Sequence, residues 1–427
     1  MSIHDKDLRE LESAGVISSD VAQNIASYYR NKSNSSPNRL FTIFAILGEL
    51  LIGLGIILIL AHNWDDFPKM VRVTLAFVPI VLGQALCTYS LLKQTQSTAW
   101  RESSSTFLTI GIGAAIALIA QIYNMPSDFK GFMFTWSALA LPLVYVMRSN
   151  MTSLLYLIGI TVYATSSGYG YPSETPWWYL LLLAAIVPNY WLLVKNRFGS
   201  NFTAWHHWFL CASTLISLGT FARSHEEYMF IAYVNLLAIF YLIGNLDIFS
   251  DKRLFSNAWL FLGSLGTVCI LMPLTFSWFW TDMQRRGIEP TLFKSPEFIA
   301  ALVLGIAALA LFIRHRRAKS IFDITPIEPV FIVFAITFFI GYRVPQAYII
   351  INIIVFTIGL LTIRRGAQQD HLGILNYGLL IITILVACRF FDTNLTFVVR
   401  GLLFIGVGVG FIVANSKLLK KRRTHEN

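Results

Sequence analysis

From Leu40 to Ala61 the chain is apolar apart from Thr42 and Glu49. A helix of that length, rising about 1.5 Å per residue, crosses a hydrocarbon core about 30 Å thick. The run ends on a polar and aromatic tip, His62-Asn63-Trp64-Asp65-Asp66, and a second apolar run opens at Val71. The pair reads as a transmembrane hairpin, and similar runs follow almost to the C-terminus. Only 13% of residues are charged and 56% are hydrophobic, against about 25% charged in a soluble domain. The fold class is therefore all-α: a polytopic transmembrane helix bundle of about fourteen spans (12–15) behind a short N-terminal cytoplasmic helix pair.

The expected spans are roughly 40–61, 71–92, 104–123, 132–147, 151–166, 177–194, 204–222, 227–244, 256–280, 297–313, 328–342, 346–363, 371–387 and 396–414. Positive charge tests that parity without using hydropathy, because cytoplasmic connections collect Lys and Arg. With the N-terminus inside, the inner segments hold 23 of the 33 Lys and Arg and the outer ones 9, with Arg400 inside the last span. Both termini are expected in the cytoplasm and the protein in the cell inner membrane. No connection can hold a folded domain; the longest, 281–296, is at most an interfacial helix.

Residues 1–32 read as a helical hairpin. Leu8 and Leu11 share one face, Gly15 supplies a left-handed stop, and Ser18 or Ser19 caps a second helix with Asp20 in its first turn. Residues 33–39 are a linker, 40–414 the bundle and 415–427 a basic tail. The hairpin either packs on the cytoplasmic face or docks a protein partner. The net charge of +10 points to loop orientation and anionic lipid before nucleic acid, and no nucleic-acid partner is expected. Arg314-His315-Arg316-Arg317 and the tail from Lys417 to Arg423 are the clusters that would meet anionic headgroups. The lipid bilayer itself is the first partner.

Cys87, Cys211, Cys269 and Cys388 lie inside apolar runs without metal-like spacing, so no disulfide, metal site or cofactor is expected. Gly53-Leu-Gly55, Gly111-Ile-Gly113 and Gly406-Val-Gly408-Val-Gly410 lie inside spans and serve close helix approach, not phosphate binding. With no Walker-type loop, nucleotide-driven pumping by this chain alone is excluded. His206 and His207 are adjacent on a helix and point about 100° apart, a poor arrangement for one metal. Trp64, Tyr123, Trp177, Trp178, Trp205, Trp208, Trp278 and Trp280 fall at span ends as an aromatic belt.

Polar residues at membrane depth are the candidate ligand or proton sites: Glu49, Asn189, Asn235 and Asn352, with Gln84 and Asn376 beside them. Glu49 lies close to the midplane on a face of small residues, Ala45, Gly48, Gly53 and Gly55. It reads either as a protonated structural group or as a carrier's proton-binding carboxylate. Asn63, Trp64, Asp65 and Asp66 form the outer-face tip, and Asp392 with Arg389 or Arg400 an outer ion pair. Pro79, Pro142, Pro188 and Pro273 kink or break their spans. Pro188-Asn189 is the most suggestive of a broken, ligand-facing helix, with a passive kink as the plainer reading.

Gly48 to Pro68, with its Ala61-His-Asn-Trp-Asp65 tip, and the preceding helix pair resemble the bacterial membrane proteins catalogued as domain-of-unknown-function 2157. Ala120-Gln-Ile-Tyr123 and, more loosely, Arg389-Phe-Phe-Asp392 look like later segments of such proteins. The resemblance covers roughly residues 8–150 and implies a bacterial inner-membrane protein, with no activity to carry over. Kinked spans and intramembrane polar groups point first to a non-enzymatic carrier, or a scaffold, whose small-molecule substrate the sequence does not identify. Two other classes stay open: a membrane enzyme acting on a lipid-linked substrate through Asp65 and Asp66, and a sensing or assembly protein using residues 1–32.

Overall fold

The computed structural model describes residue 8 and residues 12–34, 64–170, 173–249, 256–286, 290–317 and 324–390, with short pieces between 396 and 412. Every regular element among them is a helix. The chain divides into two compact units, residues 1–76 and 77–427. In the first, Gly15 takes a left-handed φ of +69°, as expected of a helix stop. Helix α1 follows over Ser19–Asn34 with Asp20 in its first turn. A 3-10 turn, Trp64–Asp66, carries part of the expected tip. The first span with Glu49, together with His62 and Asn63, lies outside the described residues.

Thirteen further helices follow: α2 (Lys69–Lys93), α3 (Thr98–Ile122), α4 (Phe129–Met147), α5 (Asn150–Gly168), α6 (Trp177–Arg197), α7 (Asn201–Leu218), α8 (Tyr228–Gly244), α9 (Ala258–Leu271), α10 (Ser277–Arg286), α11 (Pro296–Arg317), α12 (Val330–Gly341), α13 (Ala347–Gln368) and α14 (Leu372–Phe390). Each expected span from 71–92 to 371–387 coincides with at least one of them. Among the described residues eight stretches are long and apolar enough to cross a membrane, while α8 and α12 are shorter. α5 and α7 are long enough but too polar to count by composition, so fourteen full spans are not confirmed.

The connections gather at two ends of the larger unit. At the basic end, where sequence places the inner loops, Glu102 meets 149–151, Phe198 stacks edge-on to Phe249, and Asn257 Nδ2 donates to the Gly244 carbonyl. At the opposite end Lys130 pairs with Glu174 at 2.6 Å and Arg223 reaches Ser173 and Thr175. There Glu297 also accepts from the backbone N–H groups of 223–225. Contacts confined to one set of connections or the other are what alternating, antiparallel helices produce.

Two helices act as hubs. α5 packs against α3, α4, α6 and α7, and its buried surface mixes Leu154, Leu157 and Ile160 with Asn150, Thr152, Ser153 and Ser167. α8 packs against α9, α11 and α12, and its buried residues are apolar or aromatic except for Asn235. Where α8 meets α9 the backbones touch: a Cβ on Gly263 would collide with the backbone of Tyr241. The expected role of small residues in close approach also holds at Gly111, against Pro79, and Gly113, against Trp136.

One element departs from expectation. The run 256–280 is not a single span. α9 stops at Leu271, a 3-10 turn covers Pro273–Thr275, and α10 starts afresh at Ser277. Proline has no N–H to give the preceding turn, and its ring collides with the carbonyl four residues back. Pro79, Pro142 and Pro188, by contrast, sit inside continuous helices. Of the two readings of Pro188-Asn189, the broken helix is overturned and the passive one stands: α6 runs through it, and the break is at Pro273.

Candidate functional site

The polar groups of α5 organise its half of the unit. Glu102, in the second turn of α3, receives the Ser149 hydroxyl at 2.7 Å, the Asn150 N–H and side-chain amide at 3.0 and 2.7 Å, and the Met151 N–H at 2.9 Å. A carboxylate set against the exposed N–H groups of a helix start is favoured by charge-assisted bonding and by the helix dipole. Deeper in, Asn189 donates to the Ser153 hydroxyl at 3.1 Å, and Ser153 lies 2.9 Å from His206 Nε2. A carbonyl can only accept, so His206 Nδ1 donates to Phe202 at 2.7 Å, which leaves Nε2 of the neutral ring to accept the Ser153 proton. That assignment makes a buried, neutral, fully satisfied imidazole.

His207 faces a different set. Its Nδ1 accepts from Trp259 Nε1 at 3.1 Å and lies 2.7 Å from the Tyr190 hydroxyl. The neighbouring histidines thus carry their protons on different ring nitrogens and serve different helices. Among the described residues no cluster of three His, Cys, Asp or Glu residues has a metal-holding arrangement. Further along α5, Thr152 meets Ser105 at 2.6 Å, and Thr161 meets Ser213 at 2.7 Å, with Tyr179 at 3.0 Å from Ser213. These are satisfied pairs that clip one helix to the next.

The Pro273 turn gathers a different kind of group. Asn352, from the second turn of α13, donates to the Thr275 carbonyl at 2.8 Å and to its own helix at Tyr348. Arg389, from the last turn of α14, donates to the Thr275 hydroxyl at 3.1 Å and lies 4.4 Å over the Phe276 ring. Trp280 Nε1 closes the turn by donating to the Leu274 carbonyl at 2.8 Å. Trp280 is fully buried, so it is a wedge beneath the turn, not the belt residue its position suggested. Trp177, Trp178, Trp205 and Trp278 are exposed, as residues of an aromatic belt are.

Four helices thus converge on a stretch of non-helical backbone inside an apolar unit. The guanidinium sits beside the N-terminus of α10, where backbone N–H groups lack intrahelical partners. A cation and the positive end of a helix dipole on one side of a break can hold an anionic group. The Leu274 and Thr275 carbonyls of the turn already accept from Trp280 and Asn352.

Of the residues singled out by sequence, Asn352 and Arg389 come together on Thr275. Asn189 belongs to the α5 network, more than a helix away in the chain. Asn235 clamps α8 to α11, donating to the Ala301 carbonyl at 2.9 Å. At the tip, Asp65 is exposed and lies 3.6 Å from Arg72, and Asp66 is exposed beside it. Asp392 and Arg400 fall outside the described residues. Sequence reasoning missed Thr275, Glu102, Ser153 and Glu297. For Thr275 a signal was present: the run 256–280 is too long for one span and holds a proline near its end. Glu102 and Glu297 give no such signal, because an acid near a span end reads as an ordinary loop charge.

The family model described as a predicted membrane protein (DUF2157) matches residues 9–153, about a third of the chain, as the first-hairpin resemblance implied. That stretch holds α1 to α4 and the first turn of α5, and ends well before the Pro273 turn. No curated protein and no solved structure matches.

Proposed function

We propose that this multi-pass membrane protein is a non-enzymatic carrier for a small anionic solute, with its binding site at the Pro273 interruption. The observation that carries the reading is the meeting of Thr275, Asn352 and Arg389 at a helix break inside an apolar bundle. Interrupted helices put backbone carbonyls and a helix N-terminus where a polar solute can replace water, and Arg389 supplies the charge that selects an anion.

The test is flux through proteoliposomes challenged in turn with gradients of acetate, lactate, glutamate, inorganic phosphate and sulfate. At least one should give a transient that Arg389→Gln abolishes, Thr275→Val weakens and Asp65→Asn leaves unchanged. No transient with any of the five, or one that survives Arg389→Gln, contradicts the reading. Loss in Asp65→Asn alone would move the function to the outer tip.

A further inference from the structure

On each of four helices exposed apolar residues form a stripe that runs into a cation at the basic end. On α2 the exposed positions Val78, Leu82, Leu86 and Tyr89 lead to Lys93. On α6 Leu181, Ala184 and Trp191 lead to Lys195, and on α13 Ile349, Ile353, Phe356 and Leu360 lead to Arg364. The fullest case is α11, where Leu302, Ile306, Leu309 and Ile313 lead to Arg317, and Val303 and Ala310 to Arg314. The spacing of three and four keeps each set on one helical face. A cation that continues a lipid-facing stripe stands at the depth of the headgroups.

The run Arg314–Arg317 is divided by this geometry. His315 and Arg316 turn the other way, onto Glu328, which is almost fully buried: His315 Nε2 and Arg316 Nη1 lie 3.8 and 3.7 Å from its carboxylate. Glu328 is held in place by Thr325, whose hydroxyl donates to it at 2.9 Å. Two members of the cluster therefore join the end of α11 to the start of α12. The other two, three residues apart and both exposed, face outward together on one turn.

We propose that Arg314 and Arg317 form a binding site for the phosphate headgroup of an anionic phospholipid, whose acyl chains lie along the exposed stripe of α11. Neighbouring guanidinium groups on one face can grip phosphate oxygens bidentately. The stripe identifies the ligand as a lipid and not free phosphate, because it supplies the apolar half of the site. Lys93, Lys195 and Arg364 mark the same headgroup plane on other helices.

The experiment is native mass spectrometry of the purified full-length protein in mild detergent. It is titrated separately with phosphatidylglycerol, phosphatidylcholine and inorganic phosphate. Phosphatidylglycerol should bind in preference to phosphatidylcholine, and Arg314→Gln/Arg317→Gln should weaken it about 25-fold. That figure follows from roughly 1 kcal/mol per basic residue near an anionic surface and a factor of ten per 1.4 kcal/mol. Arg285→Gln, an exposed arginine at the opposite end, should leave it unchanged. Equal binding of both lipids, full phosphatidylglycerol binding by the double variant, equal loss in Arg285→Gln, or displacement of the lipid by equimolar inorganic phosphate would each overturn the proposal. Both variants alter exposed side chains, so folding is retained, and neither touches the Pro273 turn.

Discussion

The hubs α5 and α8 solve the same problem with opposite chemistry. Around α5, helices are held by hydroxyl, amide and carboxylate groups that each find a partner: Glu102 on 149–151, Ser153 between Asn189 and His206, Thr161 on Ser213. Around α8 they are held by contact, with the α9 backbone pressed on Tyr241 and a core of rings that includes Phe240, Phe334, Phe338 and Trp280. Lipid tails are as apolar as leucine, so membrane helices gain little from hydrophobic burial against each other and associate through packing and polar bonds. The bonded groups of the polar half serve its structure, while the buried Thr106 and Ser137 hydroxyls make no hydrogen bond among the described residues. The apolar half has fewer polar groups, and those at Pro273 are gathered on one stretch of irregular backbone.

Substitutions can sharpen or break that contrast. Glu102→Ala should do most damage, about 3 kcal/mol, because it strands several donors at a helix start, each worth roughly 1–3 kcal/mol when left unmade. Thermal unfolding in detergent should show the loss, and a change below about 1 kcal/mol would mean that water satisfies those groups. Gly263→Ala should cost about 2 kcal/mol by forcing α8 and α9 apart; an unchanged midpoint would refute close approach as the glue of the apolar half. Ser153→Ala should cost about 1 kcal/mol. A double-mutant cycle with Asn189→Ala should show that the two losses do not add. Thr161→Val should be smallest, near 0.6 kcal/mol, the average for side-chain bonds between membrane helices.

What was legible in the sequence follows from this division. Helix positions were readable because a membrane span needs an unbroken apolar run, and each described run became a helix except 256–280, which became two. The break at Pro273 was not separated from the kinks at Pro79, Pro142 and Pro188, since whether the chain turns after a proline depends on what can bond the carbonyls of the turn. The Thr275 and Leu274 carbonyls take their donors from Asn352 and Trp280, and Asn352 comes from elsewhere in the fold. Asn352 was visible as a polar residue in a span and Arg389 as a cation at the outer boundary, but their meeting on Thr275 depends on how α13 and α14 pack. Asn189 and Asn235 carried the same signal and join satisfied structural pairs. An intramembrane polar residue marks a place that matters without saying whether it holds the fold or a ligand.

The comparison reduces to a pair of variants, one in each half. Anion flux through proteoliposomes, expressed per folded protein, is to be measured for Ser153→Ala and Arg389→Gln against the unaltered chain. The account predicts that Ser153→Ala lowers the unfolding midpoint and leaves flux intact, and that Arg389→Gln abolishes flux with little change in the midpoint. Flux lost in Ser153→Ala and kept in Arg389→Gln would place the working site on α5 and contradict the assignment to the Pro273 turn.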